Sequence, residues 1–273
     1  IICKYDDRKK IEKKIKFNYP IVLKPNNSNA KEYLESNFKG KKKAYILNNK
    51  SELIEIIKNI NTSNYKDNLI IQEFIPGDDT NMRVVNTYSD KDGKVKLVAL
   101  GRVLLEEYYP YTIGNYAAII SDTKEKKVLN EIKTFLEKIH YVGFANFDFK
   151  YDEKSKEYKC FEINPRQGRS SFFVNASGIN LIEVMINDIV YNKNEKPIIG
   201  CEKEVLWLNI PLSVLKKYLF KPELIKEVNK LIKEKKVIHT LFYKKDYSIN
   251  RIILLRKIYY KHKMLFPKYF IKK

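Results

Sequence analysis

Two acidic side chains on neighbouring predicted strands are the residues of this sequence best suited to chemistry. Asp148 lies in one apolar run, and Glu162 and Asn164 lie in the next. Because strand side chains alternate between faces, Glu162 and Asn164 share a face, and a turn centred on Ser155 places Asp148 directly opposite Glu162. Opposed Cβ atoms are about 4.5–5.5 Å apart, so the two carboxylates repel unless a cation lies between them.

A hard divalent cation binds oxygen ligands of these types, including an amide carbonyl, and keeps positions open for phosphate oxygens. The pair Asp148 and Glu162, together with Asn164, therefore predicts a magnesium site that serves a nucleotide. The alternative is a solvated acidic face that nearby Lys and Arg side chains neutralise. The same alternation predicts that Cys160 shares the face of Glu162 and that Phe161 points to the other face, and we expect Cys160 to be buried rather than nucleophilic.

The elements that must position these residues alternate between strand and helix patterns. Predicted strands cover residues 19–23, 44–47, 69–74, 82–88, 95–106, 144–151 and 158–164. Predicted helices cover residues 124–139, 180–190 and 223–235, and another begins at Asn49, where Glu52 completes a helix-start signature. Antiparallel hairpins with helices packed on one side form an α+β architecture.

Composition excludes several classes of protein. The 273 residues allow one large or two small domains, and a hydrophobic content of 44% excludes disorder for most of the chain. No stretch approaches the roughly 18 uncharged apolar residues of a membrane-spanning helix. Three scattered cysteines are too few for a disulfide framework or a structural zinc site, which predicts a reduced, cytoplasmic setting.

The net charge of +20 is concentrated towards the C-terminus. Residues 199–273 hold 19 basic and 6 acidic side chains, and residues 247–273 hold eight basic and no acidic ones. This distribution indicates an ordinary domain with a basic tail and disfavours a nucleic-acid partner, which would need a basic surface over the whole domain. For the tail, we favour packing of its apolar side on the domain over an amphipathic helix at a membrane surface.

Four motifs give the sequence a recognisable order. They are YPIVLKP at 19–25, IIQEFIPG at 70–77, GFANFDFKY at 143–151 and FEINPRQG at 161–168. In this order and spacing they resemble the ATP-grasp superfamily over most of residues 17–198, and within it the carboxylate–amine ligases similar to D-aspartate ligase. Arg83, GRVLLEE at 101–107 and GNYAA at 114–118 also resemble that subgroup.

The resemblance implies an ATP-grasp fold, in which two α+β subdomains clasp ATP between antiparallel sheets. The expected boundaries are a remnant of a preceding segment at 1–16, a small subdomain at 17–74, a large subdomain with the metal site at 75–198, and a helical, basic extension at 199–273.

The resemblance also assigns nucleotide contacts. Lys24 matches the lysine that reaches the ATP phosphates. The hinge that binds the adenine edge matches Glu73, Phe74 and Ile75, with Gln72 just before them. The ribose hydroxyls are expected to bind either Asp79 or Asn81, and the sequence does not choose between the two.

Asp148, Glu162 and Asn164 match the family's metal ligands, and Glu162 is expected to bridge two magnesium ions, for which Mn²⁺ is an alternative. Arg166 is expected to stabilise the transferring phosphoryl group. Arg169 and Arg83 are weaker candidates for the same role, with surface or carboxylate pairing as the alternative.

The implied reaction is ATP-dependent ligation of a carboxylate to an amine through an acyl phosphate, with D-aspartate as one donor and a peptidoglycan-precursor amine as acceptor. The alternatives are a ligase for another amino acid or peptide, or a non-enzymatic basic module that binds an anionic polymer such as RNA. Two departures stand out: the segment 26–43, where the family has a glycine-rich phosphate loop, contains only Gly40, with Ser28 and Lys41–Lys43 as substitutes. The family's preceding domain and a second ATP-contacting lysine would lie before Ile1, so we expect the chain to be a fragment with impaired turnover.

Overall fold

Apolar runs at the predicted positions form strands that assemble into two sheets. The structure is a computed structural model and describes residues 1–27, 30–109, 112–242, 244–246 and 248–271. The chain divides into two compact units, Ile1–Pro76 and Gly77–Lys273. This division falls two residues after the expected boundary between the subdomains.

The elements of the central region have bounds close to those predicted. Near both ends of the chain the structure contains further elements that were not predicted. The strands are β1 (Ile2–Cys3), β2 (Ile21–Pro25), β3 (Tyr45–Leu47), β4 (Leu69–Glu73), β5 (Met82–Ser89), β6 (Val95–Glu106), β7 (Tyr116–Asp122), β8 (Gly143–Asp152), β9 (Glu157–Asn164), β10 (Ile198–Ile199), β11 (Leu206–Leu208) and β12 (Val237–His239). The α-helices are α1 (Lys31–Glu35), α2 (Lys50–Asn61), α3 (Lys126–Lys138), α4 (Phe172–Ala176), α5 (Leu181–Ile189), α6 (Leu212–Tyr218), α7 (Pro222–Lys233) and α8 (Ile249–Tyr269). Short 3-10 helices cover Tyr5–Lys14, Asp79–Asn81 and Lys244–Asp246.

The first unit is built on a sheet with the strand order β1-β4-β2-β3. Helix α2 begins as predicted, because the Asn49 side chain accepts a hydrogen bond from the Glu52 amide. The expected remnant at 1–16 is part of this unit's core: Cys3 and Ile11 are buried, and the buried Arg8 donates to the Tyr65 carbonyl oxygen at 3.0 Å.

The second unit is built on a sheet with the strand order β12-β11-β7-β6-β5-β8-β9, and β10 pairs with the start of β6. One face packs against α4 and α5 through a core that includes Val84 and Phe173. The other face packs against α3 through a core that includes Val85 and Phe147. Among the described residues, no helix has the length and apolar character needed to cross a membrane.

The expected extension at 199–273 is an integral part of the second unit, so that boundary is wrong. Strand β11 pairs with β7 and carries Trp207, which is 2% exposed, and β12 pairs with β11. Helices α6, α7 and α8 pack on the sheet through a third core. Leu255 and Phe266 of α8 are buried, which confirms the favoured prediction that the basic tail packs on the domain.

The β8–β9 hairpin contains the predicted pair of Asp148 and Glu162, but a bulge rather than a turn centred on Ser155 brings them together. Asp148 pairs with Glu162, but Phe149 pairs with Cys160, because a bulge at Phe161 interrupts the register. The turn is therefore centred half a residue before Ser155, and the bulge restores the predicted pair. The bulge also reverses two side chains: Phe161 packs on the core of α4 and α5, and Cys160 is exposed, so both predictions were wrong.

Gly101 lets α4 approach the sheet, and this gives a testable prediction. A Cβ at this position would lie 2.5 Å from Ile119 Cγ2 and 3.1 Å from Phe173 Cζ. Both neighbours are buried, so Gly101→Ala is expected to lower the free energy of unfolding by about 1–3 kcal/mol in urea titrations. The double variant Gly101→Ala with Ile119→Ala should lose less stability than the sum of the two single losses, because removing the Ile119 side chain relieves the clash. An unchanged midpoint for Gly101→Ala would contradict the packing.

Candidate functional site

The acidic residues singled out by the sequence meet on one face of the β5–β8–β9 part of the sheet. Asp148 pairs with Glu162 and Asn146 pairs with Asn164, so all four side chains share a face. Asn164 Nδ2 lies 3.4 Å from Asp148 Oδ2. Asp148 and Asn164 are half-buried and Glu162 is exposed, so the pair forms an acidic cluster that is open on the Glu162 side.

Asp148 has an unusual electrostatic environment. The pKa of its carboxyl is raised to about 7, first by burial and then by the carboxylates of Glu162 and Glu106, while a hydrogen bond from Tyr116 and the charge of Arg166 act in the opposite direction. A carboxyl with such a raised pKa holds a proton near neutral pH, and a nearby cation would favour its ionised form instead. A cation bound next to Asp148 would therefore stabilise its ionised form.

Tyr116 and Glu106 belong to this cluster, and the sequence analysis did not assign them a role. The Tyr116 hydroxyl donates to Asp148 Oδ1 at 2.7 Å, and burial next to Asp148 and Glu106 raises the pKa of Tyr116 well above its ordinary value. Tyr116 therefore stays neutral and orients the carboxylate of Asp148. Glu106 lies in the motif at 101–107 and Tyr116 in the motif at 114–118. Strand β7 was not predicted; its pairing with β6 places Tyr116 next to Glu106.

Arg166 lies on the predicted side of the cluster. It follows β9, is exposed, and its charge lowers the pKa of Asp148. Its Nη1 donates to the carbonyl oxygen of Gln167 at 3.0 Å, which leaves the rest of the guanidinium group turned towards solvent. This position suits an arginine that binds a phosphate close to the acidic cluster.

Arg169 has a carboxylate partner instead. Its Nη2 lies 3.2 Å from Oε1 of Glu107, a side chain only 3% exposed that also accepts a hydrogen bond from Asn209 at 3.1 Å. His262 of α8 lies close enough for the charges of Glu107 and Arg169 to affect its pKa, which burial lowers. Arg169 is therefore paired with a carboxylate, the alternative to a role at the phosphoryl group.

Arg83 lies on the opposite face of the sheet from Asp148. It pairs with Phe149 and Arg102 across the strands, whereas Val84 pairs with Asp148. Its Nη1 donates to the carbonyl oxygens of Thr80 and Met82 at 2.7 and 2.8 Å. The prediction that Arg83 acts on the phosphoryl group is not supported, because the sheet itself separates the two side chains.

Two of the predicted nucleotide contacts of the first unit, Lys24 and Gln72, share the outer face of its sheet. Lys24 pairs with Ile70 and Val22 pairs with Gln72, while the alternate residues of these strands are buried in the core. Lys24 and Gln72 therefore point to the same side. Glu73 ends β4 and is exposed, and the half-buried side chains of Phe74 and Ile75 follow it.

Asp79 and Asn81, the two candidates for the ribose contact, are both buried in the short helix after Gly77. Asp79 accepts hydrogen bonds from the Glu106 amide at 2.9 Å and from the Tyr108 hydroxyl. Asn81 accepts from the Asp78 amide at 3.2 Å. Both side chains stabilise this turn, and a ribose contact from either stays a prediction.

In the segment 26–43, one of the predicted substitutes for a phosphate loop has protein partners of its own. The Lys41 ammonium donates to the carbonyl oxygens of Leu34 and Ser36, each at 2.8 Å, and lies over the Tyr33 ring. Lys41 is therefore bound within its own loop, and Ser28 lies outside the described residues.

Comparison with known proteins connects this geometry to a family. Residues 111–190, which include Asp148, Glu162 and Arg166, match the family model of the carbamoyl-phosphate synthase L chain, ATP binding domain. The chain is also 44% identical over 267 residues to D-aspartate ligase of Enterococcus faecium (strain Aus0004). Both similarities support the predicted ATP-grasp domain. The alignment covers 95% of the chain and 62% of that relative, so the chain spans less than two thirds of its length.

Solved structures show the ATP-grasp fold as well. N5-carboxyaminoimidazole synthetase from Staphylococcus aureus, complexed with ADP, superposes with a TM-score of 0.51 at 15% identity, over 79% of this chain and 52% of that one. Biotin carboxylase from Campylobacter jejuni, in a complex with β-γ-ATP, gives a TM-score of 0.51 at 17% identity, over 74% and 44% of the two chains. These similarities confirm the predicted α+β, ATP-grasp fold.

The donor set of the acidic cluster suits a magnesium ion. Asp148, Glu162 and Asn164 offer two carboxylates and an amide, the oxygen donors that Mg²⁺ prefers. In the part of the chain that the structure describes, no group of three or more His, Cys, Asp or Glu side chains is arranged to hold a metal ion. The fit therefore depends on the amide and on ligands from outside the protein.

Proposed function

We propose that the chain is the ATP-grasp part of an ATP-dependent carboxylate–amine ligase that uses D-aspartate. The observation that carries the proposal is the 44% identity to a D-aspartate ligase along nearly the whole chain. The acidic cluster supports it, because Asp148, Glu162 and Asn164 place oxygen donors suited to a metal ion on one face, and none of the three is a nucleophile. Phosphoryl transfer needs positioning and charge stabilisation rather than a protein nucleophile.

The proposed reaction has two steps. A carboxylate oxygen of the amino acid attacks the γ-phosphorus of ATP, the bond from that phosphorus to the bridging oxygen breaks, and ADP leaves. The neutral amine of the acceptor then attacks the carbonyl carbon of the acyl phosphate, phosphate leaves with the electrons of the C–O bond, and the amine loses a proton. The acceptor proposed is an amine of a peptidoglycan precursor, and the setting is the cytoplasm.

Each residue of the cluster has a part in the first step. Asp148, Glu162 and Asn164 would hold magnesium, with Glu162 shared between two ions, and Mn²⁺ is the proposed substitute. When bound, magnesium neutralises phosphate charge and supports in-line transfer. Tyr116 keeps Asp148 oriented by its 2.7 Å hydrogen bond, and the exposed guanidinium of Arg166 binds phosphate oxygens as negative charge develops on them.

The first unit would bind the rest of the nucleotide. Lys24 and Gln72 share the outer face of its sheet, which supports a lysine directed to the phosphates and an amide next to the adenine. The backbone of Glu73, Phe74 and Ile75 would bind the edge of the base. The ribose would contact Asp79 or Asn81, both of which are buried.

The test is ADP release from Mg-ATP across D- and L-amino acids, with an amine acceptor supplied separately. We expect release that depends on D-aspartate, falls to background in Glu162→Gln, and persists in Glu157→Gln, which changes an exposed carboxylate on the same strand. Nucleotide binding is measured in parallel by calorimetry. ADP release that does not depend on D-aspartate, or that another amino acid stimulates, would overturn D-aspartate as the donor. Absence of ATP binding would overturn the assignment of a nucleotide site.

A further inference from the structure

Helix α8 is apolar on two opposite sides. Its inner side packs on the second unit: Leu255 is 3% exposed and Phe266 is 4% exposed. The Phe266 ring lies 5.4 Å from the Tyr218 ring and 6.2 Å from the Tyr108 ring, measured between centroids. This side accounts for the attachment of the helix, so the apolar residues elsewhere on α8 need a separate explanation.

The outer side carries an apolar stripe. Ile249, Ile253, Tyr260 and Met264 are 78%, 46%, 66% and 57% exposed. At 3.6 residues per turn these four positions fall within an arc of roughly 60°, opposite Leu255 and Phe266. Large apolar side chains aligned on a solvent-exposed helix face mark an interaction surface rather than scattered exposure.

Basic residues border this stripe on both sides. By the same helical geometry, Arg256 and Lys263 lie along one border, and Lys257, Lys261 and Lys268 lie along the other. The helix contains no Asp or Glu from residue 249 to residue 269. Its partner is therefore expected to be anionic over a wide area and apolar below that charged layer.

We propose that the outer side of α8 docks on the surface of an anionic phospholipid membrane. The apolar stripe would enter the boundary between headgroups and acyl chains, and the two basic rows would contact lipid phosphates. The helix is about 31 Å long, and the stripe from Ile249 to Met264 extends over about 23 Å of it. Charge complementarity favours lipid over a protein partner, and the apolar stripe favours it over a polyphosphate chain.

Vesicle flotation of the full chain tests the proposal without using enzyme activity. The probes are vesicles of equal parts phosphatidylglycerol and phosphatidylcholine, and vesicles of phosphatidylcholine alone. We expect binding to the first, little to the second, and a decrease as salt rises. Arg256→Gln with Lys257→Gln should weaken binding about 30-fold, and Ile253→Gln with Met264→Gln should weaken it about tenfold or more.

Control variants remove two exposed basic or two exposed apolar side chains from other helices. Lys127→Gln with Lys138→Gln removes two exposed charges from α3, and Ile54→Gln with Ile182→Gln removes two exposed apolar side chains from other helices. Both should bind as the unchanged chain does. Absence of binding to phosphatidylglycerol vesicles would overturn the proposal. Equal losses of vesicle binding in the variant and control pairs would also overturn it. So would binding that RNA competes away and that Ile253→Gln with Met264→Gln leaves unchanged, since this would identify a polyanion site.

Discussion

Glu162→Gln is expected to reduce kcat for ADP formation by about 100-fold or more while leaving the fold unchanged. The side chain is exposed at the open side of the acidic cluster, so it contributes to charge rather than to the core. Glutamine keeps the shape and removes the anionic oxygen that a divalent cation needs. Steady-state kinetics with varied Mg²⁺ concentration would show the loss, and circular dichroism would show the intact fold.

Glu157→Gln is the matched control for this result. It replaces another exposed glutamate on β9, five residues earlier and outside the cluster. A change of no more than about twofold is expected there, because surface substitutions away from a site have small effects. If Glu162→Gln and Glu157→Gln had the same activity, the carboxylate of Glu162 would not be a metal ligand.

The sequence was sufficient to predict the central hairpin and its acidic pair, but not the exact path of the chain. Alternation along two strands placed Glu162 with Asn164, and the pairing with Asp148 was correct although the turn centre was wrong. The compensating bulge at Phe161 depends on a buried position beside α4 and α5, which no local pattern reveals. The wrong turn centre was thus compensated by the bulge, and the predicted pair of Asp148 and Glu162 was correct for that reason.

Other residues were placed by contacts that are distant in sequence. Strand β7 is buried along its whole length and lacks the alternation that marks a half-buried strand, so Tyr116 was not assigned to the site. Arg169 pairs with Glu107, 62 residues earlier, and that pairing required the positions of both loops. The face of Arg83 depends on the register between β5 and β8, which a single sequence does not determine.

Asp148→Asn is expected to stabilise the metal-free protein above neutral pH while abolishing magnesium-dependent activity. The folded-state pKa is raised to about 7 from an ordinary value of 3.8. A raised carboxyl pKa means that folding is favoured by the protonated form: this stability is fully present below about pH 4 and is lost as pH rises through 7. The loss amounts to about 2–4 kcal/mol above pH 7, and asparagine removes it because it carries no charge.

The expected measurement is the free energy of unfolding in urea between pH 5 and pH 8, without divalent cations. The unchanged chain should lose stability across this range relative to Asp148→Asn, whose amide oxygen can still accept the Tyr116 hydrogen bond. Asp152→Asn provides a control of opposite sign, since hydrogen bonds from the Lys154 amide and Ser155 lower the pKa of Asp152. Added Mg²⁺ should restore stability at pH 8 in the unchanged chain and not in Asp148→Asn, because only an ionised Asp148 gains from a bound cation. Parallel pH profiles for the two chains would contradict the raised pKa of Asp148, and equal stabilisation of both chains by Mg²⁺ would contradict its role as a metal ligand.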